Sequence, residues 1–184
     1  MVIALDSFFQ SIHPGHPYVV TKQSADWPHY EHRSDVDILC TNADDTTHLI
    51  ELYLRLANPC EDVRKSLNGD RGRVDIFVDG DLDLRFDVYG SPPWSGVSPA
   101  FTEAVLKRAQ RRGGARVPWH LHDLAIRLWE YTQYHEARPD KVKHLDYVRE
   151  RWDPALVGVL SEWCSRPLTS YPTPLQALWQ QGQA

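Results

Sequence analysis

The stretch Arg33-Ser34-Asp35-Val36-Asp37-Ile38-Leu39-Cys40 sets two carboxylates two residues apart in a run whose other members favour a buried strand. Side chains alternate across a strand, so Asp35 and Asp37 project to one face while Val36 and Ile38 project to the other. Like charges side by side repel and lose hydration unless a cation sits between them. A divalent metal answers both costs, and oxygen-only ligation selects magnesium or manganese over zinc. The competing reading ends the strand here and leaves both aspartates solvated in a turn.

A second stretch, Leu82-Asp83-Leu84-Arg85-Phe86-Asp87-Val88-Tyr89, alternates cleanly. Leu82, Leu84, Phe86 and Val88 fall on one face, and Asp83, Arg85, Asp87 and Tyr89 on the other. Val74 to Val78 before it is also strand-like, and Asp79-Gly80 between the two is a hairpin signal. Asp87 is thereby expected to meet Asp35 and Asp37 across neighbouring strands. Three carboxylates on one sheet face suit two-metal phosphoryl transfer.

These residues resemble the polymerase-beta-type nucleotidyltransferase superfamily. That family carries a Gly-Ser pair, then Ser-Asp-x-Asp on a strand, then a third Asp on a later strand. Ser34-Asp35-Val36-Asp37 matches the second element and Asp87 the third, while Ser24 lies where the first serine is expected, after the strand-like Tyr18-Val19-Val20-Thr21. The match covers residues 18 to 89. Gln23 departs from it, standing where the family has glycine, and Trp27-Pro28 occupies a loop where another glycine is usual.

The resemblance implies a metal-dependent enzyme that moves a nucleoside monophosphate from a nucleoside triphosphate, ATP first among them, to a hydroxyl acceptor. Asp35 and Asp37 would hold Mg2+ (or Mn2+) against the triphosphate, and Asp87 would hold a second ion beside the acceptor. Ser24 would hydrogen-bond a phosphate oxygen, with Ser34 in the same binding element. Lys22, His32 and Arg33 are candidates for further phosphate contacts, against the plainer role of solvated loop residues. A small-molecule acceptor is the first expectation. The alternatives are transfer to protein or tRNA, and a module that binds a nucleotide or partner without catalysis.

Length and composition bound the rest. The chain has 184 residues and a hydrophobic share of 42%, enough for a folded core. We expect an α/β (α+β) architecture: a nucleotidyltransferase-like mixed sheet over residues 1–90 and a helical portion over 91–184 that completes the pocket. Gly90 to Gly96, with two prolines, is the expected boundary. No apolar run has the length of a membrane span and the N-terminus lacks a signal pattern, so no membrane partner is expected. The three cysteines lack metal-ligand spacing and read as reduced, which suits the cytoplasm. A net charge of -5 argues against general nucleic-acid binding, although a local basic patch remains open.

The remaining elements follow from periodicity. Leu5 to Ile12 reads as a short helix or turn and Lys22 to Arg33 as an irregular loop in which Trp27 or Tyr30 stacks on a base or packs beneath the chain. Asn42 to Thr46 supplies cap chemistry for a helix whose expected core face is Leu49, Leu52, Tyr53 and Leu56. Glu61 to Leu67 reads as a short helical piece, Asn68 to Gly72 as a loop, and Phe101 to Gln110 as a helix. The basic cluster Lys107, Arg108, Arg111, Arg112 and Arg116 either complements that helix's C-terminus or contacts phosphate or RNA. Leu121, Leu124, Ala125 and Leu128 mark a further helix, Leu145, Val148 and Trp152 another, and Val157, Leu160 and Cys164 a last one. Lys141, Lys143 and His144 read as surface residues or as weak candidates for nucleotide contact. The tail from Ser165 reads as loosely packed. No zinc pattern, nucleophile elbow or Walker phosphate loop occurs.

Overall fold

Alternation of apolar and polar residues builds the sheet. The computed structural model describes residues 5–12, 16–23, 27–57, 62–167 and 171. Helix α1 (Leu5–Ser11) leads into β1 (Tyr18–Thr21) and β2 (Ser34–Cys40), followed by α2 (Ala43–Ala57), β3 (Asp62–Asn68), β4 (Arg71–Val78) and β5 (Asp81–Tyr89). The strands form one five-stranded sheet in the order β1-β2-β5-β4-β3. β2 and β5 run parallel, the other neighbours antiparallel. The fold is therefore α+β with a mixed sheet.

The chain divides into two units: Met1–Pro92 with Thr102–Pro118, and Pro93–Phe101 with Trp119–Ala184. In the first, most apolar side chains of the sheet share one face, where Val20, Val36, Ile38, Val74, Ile76, Leu84, Phe86 and Val88 are all buried; Val19 and Leu39, paired across β1 and β2, are buried on the other. Phe8 and Phe9 of α1 close over them, with ring centroids 5.2 and 6.4 Å from Phe86. Helix α2 begins where the sequence provides a cap: Asn42 Oδ1 accepts from the Asp45 amide at 3.1 Å, and its Nδ2 donates to the Asp45 carboxylate at 2.8 Å.

The buried stripe of α2 is Ala43, Thr46, Thr47, Ile50 and Leu54, while Leu52 and Leu56 are 46% and 75% exposed. Of the expected face Leu49, Leu52, Tyr53 and Leu56, Tyr53 does pack on the core, its ring 4.9 Å from Phe8, and Leu49 is half-buried, but Leu52 and Leu56 are turned to solvent. Gly72 of β4 explains the choice. A Cβ there would come within 1.8 Å of Thr47 Oγ1, so glycine lets the small-residue side of the helix lie directly on the strand.

Two other expectations change. Glu61 to Leu67 is not helical where described, for Asp62–Asn68 is edge strand β3, and the expected loop before β4 contracts to the turn at Gly69-Asp70. Only Val63 of β3 is buried, so no alternation marks the segment as a strand; its pairing with β4 decides. The expected helix from Phe101 stops at Lys107 (α3), and Gln110–Arg112 (β6) pairs with Ala115–Val117 (β7) across Gly113-Gly114. The chain after Gly96 is accordingly not helical throughout.

The second unit is built on α4 (His120–Tyr134), α5 (Val142–Glu150) and α6 (Leu156–Trp163). Leu121, Leu124, Ala125, Leu128, Leu145, Val148 and Leu160 are buried as the periodicity anticipates. Trp129 packs 4.8 Å edge-on to Phe101 and donates to the Tyr171 hydroxyl at 3.0 Å. Lys141 and His144 are buried, not on the surface; Lys143 alone of the three is exposed. Lys141 Nζ lies 2.6 Å from Glu130 Oε1, and Glu130 Oε2 accepts from Trp94 Nε1 at 2.9 Å. A buried cation takes a buried carboxylate because neither could bear burial alone. Among the described residues no helix is long and apolar enough to cross a membrane.

Candidate active site on the polar face of the sheet

Opposite the apolar core, the other face of the same sheet carries charge in rows. Reading across strands, Asp35 of β2 stands beside Arg85 of β5, then Asp75 of β4, then Arg64 of β3. Signs alternate along this row, and Arg85 Nε donates to Asp75 at 2.7 Å. The adjacent row runs Thr21, Asp37, Asp87, Arg73 and Ser66. Here Asp37 and Asp87 are direct neighbours on parallel strands, a like-charge pair that a sheet ordinarily avoids.

The three expected carboxylates therefore do share one sheet face. Asp35 is the exposed member, Asp37 is half-buried and Asp87 is buried. Loss of hydration around its carboxyl, then the negative charges of Asp87 and Asp37, hold Asp35 above the usual carboxylate range, and Arg85 and Lys22 draw it part of the way back.

Cations stand at both ends of the pair. Lys22, at φ 55° just past β1, places Nζ 2.8 Å from Asp37 Oδ2. Arg71 and Arg73, two residues apart on β4, donate to Asp87 Oδ1 at 3.1 and 3.2 Å. Both arginines are far more exposed than Asp87: their side chains are 50% and 36% accessible against 10%. Neither is among the sequence-expected site residues, because a loop over Asn68 to Gly72 and a strand from Val74 leave Arg71 and Arg73 off the sheet. The signal was present in Arg71-Gly72-Arg73-Val74-Asp75-Ile76, where charged residues alternate with buried ones from the first position.

The other expected site residues part company with the carboxylates. Arg33 (φ 66°) is exposed and reaches Asp81 at 3.7 Å, at the far end of β5 from Asp87. Ser34 opens β2, and strand alternation sets it on the side of Val36, opposite Asp35 and Asp37. Ser24 lies outside the described residues. His32 Nδ1 and the Tyr30 hydroxyl both engage Asp83, at 3.1 and 3.2 Å. Trp27 packs 5.6 Å from Phe9 and donates Nε1 to the Gly113 carbonyl at 3.3 Å, so packing beneath the loop, not base stacking, is its role here.

Asp35, Asp37 and Asp87 are the residues that could hold a divalent cation. Their oxygen-only donor set and mutual repulsion suit a hard metal such as Mg2+ or Mn2+. Among the described residues, no three of His, Cys, Asp and Glu are grouped tightly enough to enclose a metal ion as the side chains stand, with Asp37 turned to Lys22 and Asp87 to its two arginines. Metal binding at this face would exchange those cations for the ion. Comparison of the chain with protein-family models, with curated proteins and with solved structures finds no match.

Proposed function

We propose that the carboxylate face is the active site of a metal-dependent nucleotidyltransferase, which moves a nucleoside monophosphate from a nucleoside triphosphate, ATP first, to a hydroxyl acceptor. The observation that carries this reading is the direct opposition of Asp37 and Asp87 across β2 and β5, with Asp35 charged against both. A fold retains adjacent like charges at a cost in stability, and a divalent cation is the ligand that removes it. Bound Mg2+ or Mn2+ would supply Lewis-acid stabilisation of the triphosphate and a lowered pKa for the attacking hydroxyl.

The chain's own groups have distinct parts in this scheme. Asp35 and Asp37 would orient the donor, and Asp87 would accept or steer the proton leaving the acceptor hydroxyl. Lys22, Arg71 and Arg73 are drawn to carboxylates in the present arrangement, and each has the charge to hold a phosphate oxygen instead. A small hydroxyl compound is our first acceptor, with protein or tRNA the alternative. We place the protein in the cytoplasm, in keeping with the free, buried thiols of Cys40 and Cys164.

A second reading is favoured by those same three cations. They already neutralise Asp37 and Asp87, as a purely structural ion-pair network in a partner-binding module would require. Calorimetric titration with each nucleoside triphosphate, with and without Mg2+, decides between the two. The transferase reading expects Mg2+-dependent binding that disappears in Asp35→Ala/Asp37→Ala. A folded wild-type protein that binds no triphosphate would overturn it.

A further inference from the structure

We propose that the β6–β7 hairpin is a binding surface for the phosphate backbone of a nucleic acid. The inference goes beyond the transferase reading and does not depend on it. Lys107, Arg108, Arg111, Arg112 and Arg116 fall within ten residues, and no acidic residue occurs between Glu103 and Asp123, in a chain whose net charge is -5. Lys107, Arg108, Arg111 and Arg112 are exposed. Among the described residues, Lys107, Arg111 and Arg112 take no acidic partner.

Register sharpens the point. Arg111 and Arg116 are directly opposed across the hairpin, so like charges face each other where a sheet pays for it in repulsion. Arg116 relieves part of this by donating to the Leu106 carbonyl at 2.8 Å, at the end of α3. Among the described residues Arg111 has no such outlet, and an anion is the natural counter-group.

The hairpin is also held in place. Ala115 is fully buried, and the Gly113 carbonyl accepts from Trp27 Nε1 at 3.3 Å. At Gly114 (φ 72°) a Cβ would meet the Asp6 backbone oxygen at 2.7 Å, so only glycine permits the turn to rest on α1. A braced hairpin presents its arginines without first having to be ordered, which lowers the entropic cost of binding.

Four of the five cations are arginine, whose planar fork matches phosphate oxygens, and the preceding lysine extends the row beyond a single phosphate. The exposed residues of the hairpin, Gln110, Arg111, Arg112 and Gly113, include none of the large apolar groups that insertion into a lipid surface needs. A polyanion with regularly spaced phosphates fits best.

The test is fluorescence anisotropy with a labelled RNA strand and with DNA of the same sequence, over a series of salt concentrations and without nucleotide or metal. Arg111→Gln/Arg112→Gln is compared with Arg64→Gln/Arg149→Gln, which removes equal charge from β3 and α5; melting curves establish that each variant folds. Binding should weaken in the hairpin variant alone. Its plot of log K against log salt should become shallower by about 1.4 for a single strand, since each lost phosphate contact removes about 0.7. No binding to either strand at low salt, equal weakening in both variants, or binding to anionic phospholipid vesicles in place of nucleic acid would each overturn the proposal. RNA and DNA bound alike support it, because backbone contacts do not read the base.

Discussion

Asp37 and Asp87 occupy directly opposed positions on the parallel strands β2 and β5, with Lys22 on the outer side of one and Arg73 on the outer side of the other. The order along this line is cation, anion, anion, cation. Any divalent ion that settles between the two carboxylates must stabilise the folded chain. Mg2+ should therefore raise the melting temperature of the wild type, by the equivalent of about 2.7 kcal/mol when present at a hundred times its Kd. It should leave Asp37→Asn unchanged. Differential scanning fluorimetry over a Mg2+ series measures this, and equal shifts in both proteins would remove the metal from the account.

Asp35 gives a pH signature. Its carboxyl is held above the usual range by lost hydration and by Asp87 and Asp37, so the folded chain binds its proton more tightly than the unfolded chain does. Stability contributed by this group is then present at acid pH and falls as pH rises from the ordinary carboxylate value through the raised one. Asp35→Asn should melt higher than wild type at neutral pH, with the gain shrinking toward the acid side. A constant difference across that range would contradict the assignment.

The orientation of α2 is open to a paired substitution. Leu54 is fully buried and Leu56 is 75% exposed. Leu54→Ala should cost about 2–5 kcal/mol in urea denaturation. Leu56→Ala should stay within about 0.5 kcal/mol of wild type. The reverse order would restore the face through Leu49, Leu52, Tyr53 and Leu56.

Glu130 and Lys141 form an ion pair whose side chains are 8% and 9% accessible. Lys141→Met alone strands the carboxylate and should cost about 3–5 kcal/mol. Adding Glu130→Gln removes the stranded charge while keeping an oxygen for Trp94 Nε1. The double variant should thus recover much of the loss, giving strong non-additivity in a double-mutant cycle; simple additivity would mean that the two groups do not interact.

Burial pushes the Cys40 thiol up to about 11. Its Sγ donates to the Tyr89 carbonyl at 3.5 Å, inside the sheet. At neutral pH it should resist alkylation by iodoacetamide in the native state and react once the protein is unfolded. Mass spectrometry of the peptide spanning Cys40 reads this directly.

How much of this was legible depended on whether both neighbours of a residue announced its place. β2 and β5 are visible because acidic and apolar residues alternate, and Asp79-Gly80 supplies the positive φ angles that the turn from β4 into β5 uses. β3 was invisible because only Val63 meets the core, so no period appears. The face of α2 is hard to place for a different reason: its apolar residues spread over an arc wider than one buried stripe. What selects the buried stripe is a glycine on another strand, Gly72, which local periodicity cannot register. At the site, the carboxylates were readable as strand residues, whereas Arg71 and Arg73 became part of it only through the register of β4 against β5. Ser34 and Arg33 show the converse, since closeness in sequence to Asp35 left them on the wrong face or at the wrong end.

The parallel pairing of β2 with β5 also has a temporal side. Position 37 can meet position 87 only after α2, β3 and β4 have been laid down between them, because a parallel neighbour cannot be reached by a tight turn. Pairings so far apart in the chain close late and slowly. A nascent chain ending before β5 carries Asp35 and Asp37 as ordinary solvated acids, and the clash between Asp37 and Asp87 arises only when the last central strand docks. The charged centre thus requires a chain that extends through β5, and it forms together with the parallel pairing of β2 and β5.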